Sequence, residues 1–336
     1  MRRLALLLAV FAALFAPPFF IASEFWLNAV MMTLYAALLG QAWNILGGYG
    51  GQFSFGHALF FGIGAYAVAV GQTALGLNPW LGMALGGALA AGAAAAMGWL
   101  VFRYGLRGSY FALVTLAFAE VFRVLANSVA FTGAGEGVLI PLDPRPGNLQ
   151  FSSLAHYYWL LWAICLLAFL AVWRMERSRF GARLAAVRDN EDAASAVGVD
   201  PLATKIGAIA LSGFFMGLAG VFYAQKFLYL DSGLAFGPAV SVEALLVALI
   251  GGMGTLFGPL LGAAALHALA EFAREVMGDA PGVDMALYGA ILVLMVMFAP
   301  RGLAGLGRVS ARRRFSGGGG AAAKAGAAAA KGARDA

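Results

Sequence analysis

Apolar residues run unbroken along most of this chain, in stretches long enough to approach the ~20 residues that cross a bilayer core as a helix. They occupy residues 4–20, 26–46, 56–70, 80–102, 110–125, 157–173, 206–230, 238–250, 256–272 and 285–298. The runs do not alternate apolar and polar positions, which excludes a membrane β-barrel. Punctuation falls between them: GGYGGQ after 46, Asn78-Pro79 before 80, GGMGT before 256 and Pro300-Arg301-Gly302 after the last. The pattern predicts an all-α, polytopic helical membrane protein with about eight to ten transmembrane helices. The 56–70 and 238–250 runs are short and are read as either spans or re-entrant pieces. Residues 1–315 are read as one membrane domain. Residues 316–336, almost all Gly, Ala and Lys, form a low-complexity tail expected to be disordered.

Composition agrees. The chain is 62% hydrophobic and 11% charged, whereas a soluble domain is about one quarter charged. The single cysteine, Cys165, excludes an internal disulfide and suits an apolar filler. Charge is informative through its position. With ten spans and the amino terminus inside, eighteen of the 22 Lys and Arg residues fall on the inner side; Arg123, Arg145, Lys226 and Arg274 do not. Basic residues favour the cytoplasmic side, so both termini are expected there, as is the long charged segment 175–205. The net charge of +6 therefore reports membrane orientation and not nucleic-acid binding.

The 175–205 segment interrupts the apolar chain with two short helical pieces. Leu184, Val187, Ala194 and Val197 follow helical spacing; Arg188 and Asp192 are spaced to pair; Gly198 is placed to end a helix and Pro201 to break what remains. Asp192-Ala193-Ala194, followed by three residues and then Gly198, resembles the EAA loop of ABC importer permeases, with Asp at the first position where that family has Glu. Trp43-Asn44-Ile45-Leu46-Gly47-Gly48-Tyr49-Gly50-Gly51-Gln52-Phe53-Ser54-Phe55-Gly56-His57-Ala58 resembles the signature of branched-chain amino acid permeases. Arg179-Phe180-Gly181-Ala182-Arg183 leading into Arg188-Asp189-Asn190-Glu191, Ser212-Gly213-Phe214 with Gly217-Leu218-Ala219-Gly220, and Gly251-Gly252-Met253-Gly254-Thr255 with Gly258-Pro259 are similar to further stretches of that family. Over residues 25–305 the chain resembles LivM-type permeases of the branched-chain amino acid ABC importer family. The Leu-Pro that ends the loop in many other importers is absent here.

The resemblance implies a permease subunit moving branched-chain or related amino acids across a bacterial inner membrane. It also implies a homologous second permease, two cytoplasmic ATPase subunits and an extracytoplasmic substrate-binding protein. Arg188, Asp189, Glu191, Asp192, Ala193, Ala194 and Gly198 are then the expected ATPase-coupling residues: small residues enter a cleft and the charges orient the helix at its rim. From composition alone, an ordinary solvated loop is an equal reading.

Asn44, Gln52, Ser54 and His57 sit in a glycine-broken stretch at membrane depth, where irregular backbone needs protein or a water-filled cavity around it. With Glu243 they are candidates for lining the substrate pathway; the alternative is close helix packing with satisfied polar side chains. Glu120 and Arg123 are spaced to pair on one helix face near a span end, either as a structural pair or as a gate. His267 and Glu271 share a face, and His156 lies in an aromatic belt. No GxxxxGK[ST] sequence occurs, and the chain holds only four lysines, none followed by Ser or Thr. No enzymatic activity, cofactor or metal site is expected, and transport energy must come from another polypeptide. A urea or short-amide ABC permease shares the same motifs, and an ion-coupled secondary transporter shares the glycine-broken helices.

Overall fold

The computed structural model describes residues 2–277, together with 289, 290 and 303. The final predicted span, 285–298, and the 316–336 tail lie outside the described residues, apart from 289 and 290. The helices are α1 (Arg2–Phe15), α2 (Pro17–Phe20), α3 (Glu24–Asn44), α4 (His57–Leu75), α5 (Pro79–Arg103), α6 (Gly108–Ser128), α7 (Leu154–Glu176), α8 (Arg179–Asp189), α9 (Glu191–Ala196), α10 (Pro201–Phe227), α11 (Ser232–Phe236), α12 (Pro238–Gly251) and α13 (Gly258–Met277). A single π-helical turn, Ile45–Tyr49, extends α3. Among the described residues eight stretches are long and apolar enough to cross a membrane; the shortest, Arg3–Phe20, joins α1 to α2, and Ser232–Gly251 joins α11 to α12.

Two short runs thus come out longer than their hydropathy alone indicates. His57–Leu75 is a 19-residue helix, because Gln72 and Thr73 extend it past the apolar run and Gly76 closes it in a left-handed turn (φ +61°). The boundaries elsewhere follow chemistry in the sequence. Asn78 Oδ1 accepts from Trp80 N at 2.9 Å with Pro79 in the first turn of α5, and Asp200 Oδ1 accepts from Ala203 N at 3.1 Å with Pro201 in the first turn of α10.

Helices α4, α5 and α10 form the tightest part of the bundle. They approach through small residues. A Cβ on Gly217 would stand 3.0 Å from the Gly86 carbonyl, and the backbone of Gly64 abuts that of Gly217. Small residues at such crossings let helices gain packing contacts that lipid would otherwise supply. Helix α3 packs against α7, α12 and α13, and Trp43, Leu38 and Met31 on it are fully buried.

The bundle has two chemically different ends. One carries Arg3, the Tyr49–Gly51 turn, Arg107, α8, α9, Lys205 and the 252–257 loop, joined by the ion pairs and packing described below. At the other, the long 129–153 connection is tied to the end of α10 by a two-residue antiparallel pairing of β1 (Val138–Leu139) with β2 (Tyr229–Leu230). Trp80 Nε1 also donates to Pro146 O at 2.8 Å there.

Candidate coupling site

The segment between α7 and α10 is built from local capping. Ser178 Oγ accepts from Gly181 N at 3.2 Å and starts α8. Asn190 then takes an extended conformation (φ −160°) and its Oδ1 accepts from Ala193 N at 2.9 Å, ending one helix and capping the next. This break separates Arg188 from Asp192, so the expected four-residue pair does not form. Arg188 pairs with adjacent Asp189 instead, Nη2 to Oδ1 at 3.1 Å. Val199 N donates to Ala194 O and Gly198 N to Ser195 O while Gly198 sits at φ +83°. That is a Schellman termination, as the glycine foretold.

The two helices have distinct inner and outer faces. Leu184, Val187 and Ala194 are buried against the bundle. Asp192, Ala193, Ser195, Ala196 and Gly198 are exposed, and Val197, an apolar side chain, is 79% exposed. Glu191 points inward. Its Oε2 meets Lys205 Nζ at 2.6 Å and Arg107 Nε at 3.2 Å. Lys205 is only 3% exposed and its ammonium lies 5.3 Å from the Phe102 ring centre. One carboxylate therefore joins α9 to the first turns of α10, to the α5–α6 connection and, through the cation, to the end of α5.

The same layer touches the glycine-rich segments. A Cβ on Gly51, which has φ +67°, would stand 2.6 Å from Arg188 Cγ, and one on Gly50 would stand 3.4 Å from Leu184 Cδ1. Arg188 Nη1 also comes within 3.7 Å of the Cβ position of Gly254. Tyr49 Oη donates to Glu176 Oε1 at 2.6 Å, and Glu176 pairs with Arg3 at 3.7 Å. Asn44 closes the layer from inside the bundle. Its Oδ1 accepts from Gly254 N at 2.8 Å, and its Nδ2 donates to Thr255 O at 3.1 Å.

Of the residues singled out as pathway candidates, Asn44, Ser54 and His57 are fully buried. Asn44 is the latch just described. Ser54 offers its hydroxyl to Gly56 N at 3.1 Å and its carbonyl to Trp43 Nε1 at 2.8 Å. Ser212 Oγ donates to Ala42 O at 2.7 Å, so it accepts from His57 Nε2 at 2.8 Å; this assigns the proton to Nε2 and leaves Nδ1 without a partner among the described residues. Ser241 Oγ caps the start of α4 by accepting from Ala58 N at 2.8 Å. Gln52 and Glu243 are half-buried and have no side-chain hydrogen bond or ion pair among the described residues. His267 and Glu271 line a cleft of about 510 Å³ between α3 and α13. His156 stacks on Phe151 at 5.8 Å beside Trp159.

Sequence reading missed Lys205, Arg107, Ser212 and Ser241. Lys205 had a visible signal: it is the first lysine in the chain and stands in the opening turns of an apolar helix. Ser212 stood in the quoted Ser212-Gly213-Phe214 stretch, which gave no hint of its partners, and Ser241, in the apolar helix α12, had no signal.

Residues 25–296 match the family described as branched-chain amino acid transport system / permease component. The chain belongs to this family. It is 29% identical over 313 residues to the high-affinity branched-chain amino acid transport system permease protein LivM of Escherichia coli, covering 86% of this chain and 72% of that protein. It is 23% identical over 287 residues to the BraD permease of the corresponding system in Pseudomonas aeruginosa, covering 80% and 91%. A more distant similarity, 29% over 223 residues covering 65% and 63%, is to the L-arabinose ABC transporter permease protein AraH of Azospirillum brasilense. No solved structure matches the chain. A permease component of an importer is a membrane subunit rather than an enzyme, and the eight apolar stretches fit a multi-pass membrane protein.

Proposed function

We propose that this chain imports branched-chain or closely related amino acids as one of two homologous permeases, driven by two cytoplasmic ATPases and fed by an extracytoplasmic binding protein. The charged end then faces the cytoplasm of a bacterial cell, with its basic residues on the side the positive-inside rule favours. Residues Arg188, Asp189, Asp192, Ala193, Ala194 and Gly198 form the ATPase-coupling surface with its immediate support, and Glu191 anchors it from beneath. The observation that carries this reading is the exposed Val197 at the end of α9, beside small residues, over a base locked to the bundle by Glu191, Lys205 and Arg107. An apolar side chain presented on a charged, rigid platform is suited to insertion into a partner's cleft.

Movement of that platform reaches the membrane through direct contact. Helix α8 rests on Gly50 and Gly51, and Asn44 joins that turn to the Gly254–Thr255 loop. Pushing or pulling on α9 shifts both glycine-rich segments together. The π-turn at Ile45–Tyr49, a form of helix often found at functional positions, gives α3 a place to yield. Gln52 and Glu243, with free hydrogen-bonding capacity and partial exposure, are the polar groups best placed to meet a substrate in the pathway.

The test is uptake by the purified complex, with its second permease, ATPases and binding protein, in proteoliposomes. ATP-dependent accumulation of labelled leucine, isoleucine or valine is expected. Uptake of urea but none of these amino acids would discard the substrate class, and uptake that ignores ATP would discard the ABC mechanism.

A further inference from the structure

Glu120 and Arg123 form a closed ion pair on α6, with Glu120 Oε2 2.9 Å from Arg123 Nε and Oε1 2.5 Å from Nη2. The pair is not sealed: the two side chains are 51% and 37% exposed. It is also not at the rim. Glu120 is the thirteenth of the 21 residues of α6, which places it about 12 Å along the axis from the nearer helix end. With α6 crossing a bilayer core about 30 Å thick from end to end, this carboxylate lies inside the core.

Helix α6 is the natural place for such a group to be functional. Its buried side chains, Phe111, Thr115, Ala119 and Ala126, form one narrow seam, packed chiefly on α4 and α11. The opposite face carries Leu113, Glu120, Val121 and Val124, all exposed. A half-exposed ion pair against lipid tails would have its remaining hydrogen-bonding capacity unmet, and intramembrane charges are found facing protein or water-filled cavities for that reason. This face therefore meets protein, water or a polar ligand in the assembled transporter.

We infer that Glu120 and Arg123 line the translocation path and bind the zwitterionic head of the transported amino acid, Glu120 taking the ammonium and Arg123 the carboxylate. This rests on the reading of the chain as an amino-acid importer. Charge complementarity supports it. The two residues present opposite charges side by side, as an α-amino acid does on one carbon. Exchanging the internal pair for two pairs with the substrate keeps the site neutral at every stage, with charge-assisted hydrogen bonds on both sides. Leu113, Val121 and Val124 on the same face suit an aliphatic side chain. A neutral amide such as urea has no charges with which to separate the pair, so the site favours a zwitterion over it.

The experiment measures labelled leucine uptake by the complete complex in proteoliposomes, with wild-type permease, E120Q, R123Q and the double variant E120Q/R123Q. Uptake is expected to fall about ten- to a hundredfold in each single variant, the loss associated with one charged hydrogen-bonding partner, and no less in the double variant. ATPase subunits should co-purify normally throughout. A purely structural pair behaves oppositely, because removing both charges leaves neither one stranded. Wild-type uptake in the double variant, or better uptake there than in the singles, would overturn the inference. Should the double variant fail to assemble, R123K decides the question at matched assembly through kinetics: a raised KM for leucine presented on the binding protein, or a lowered uptake rate, with unchanged thermal midpoint supports the inference, and wild-type uptake kinetics overturn it. If the wild-type complex transports urea and no amino acid, the amino-acid reading fails and this inference with it. Leucine uptake by wild type that is matched by E120Q/R123Q sinks this inference alone.

Discussion

Lys205 Nζ sits 2.6 Å from Glu191 Oε2 although Lys205 is almost sealed from solvent and the two residues belong to different helices. A buried ammonium is tolerated because it is paired and lies against the Phe102 ring. The pair fixes the angle between α9 and the membrane helix that follows it. Arg107 adds a third, more exposed member.

Replacing Lys205 with Met leaves Glu191 with Arg107 alone. Breaking a fully buried pair costs about 3–5 kcal/mol; Glu191 retains some solvent and one partner, so a loss on the order of 1–3 kcal/mol is expected. The thermal midpoint of the detergent-solubilised complex should fall by several degrees, and ATP hydrolysis should lose its dependence on substrate-loaded binding protein. An unchanged midpoint together with normal coupling would show that the pair does not hold α9 in place.

The Asn44 latch gives a second prediction. Asn44→Leu removes the hydrogen bonds to Gly254 and Thr255, and a longer one to Gln41 Oε1, and leaves Gly254 N–H and Thr255 O unpaired in a crowded layer, a cost of about 2–4 kcal/mol. Gly51→Val adds strain at φ +67° and drives into the Arg188 stem. Both variants should retain ATPase binding and lose transport, since they damage the link between platform and membrane rather than the platform. Loss of ATPase co-purification in either one would contradict that division.

Orientation is accessible through the native thiol background. The single cysteine, Cys165, is fully buried, so introduced cysteines report cleanly. With the charged end cytoplasmic, Leu142→Cys in the long 129–153 connection should react with a membrane-impermeant maleimide on intact spheroplasts. Val197→Cys should react only after lysis, and less when the ATPases are co-expressed. The reverse labelling pattern would invert the proposed topology.

The 129–153 connection carries its own pH signature. Arg145 hydrogen-bonds to Asp143 through Nε at 2.7 Å, and Asn148 Nδ2 donates to Asp143 Oδ2 at 2.9 Å. The hydrogen bonds and charge of Arg145, then the Asn148 bond, hold the Asp143 carboxyl below the ordinary carboxylate range. A carboxyl with a depressed folded value contributes order that is fully present above its unfolded value and is lost as the pH falls through the folded one. Amide exchange across residues 143–150 should therefore stay slow at neutral and mildly acidic pH and quicken only in stronger acid. Asp143→Asn should quicken it already at neutral pH and flatten the profile. A wild-type profile with no acid limb would discount the pair.

Much of this protein was legible from the sequence because a bilayer makes local rules decisive. Backbone groups in lipid must bond within their own segment, so a long apolar run has to be a helix, and its ends can be read from Asn78-Pro79, Asp200-Pro201 and Gly198. Short-range capping also determined the two-helix form of the 175–205 segment. What the sequence left undecided depended on residues far apart in the chain. Whether Glu191 faces a partner or its own bundle turns on Lys205 and Arg107. Whether Asn44 lines a path or latches a loop turns on Gly254 and Thr255, 210 and 211 positions away. Whether Glu120 and Arg123 are sealed or open turns on which face of α6 its neighbours cover. Hydropathy places a residue along a helix, but only packing decides what its side chain meets.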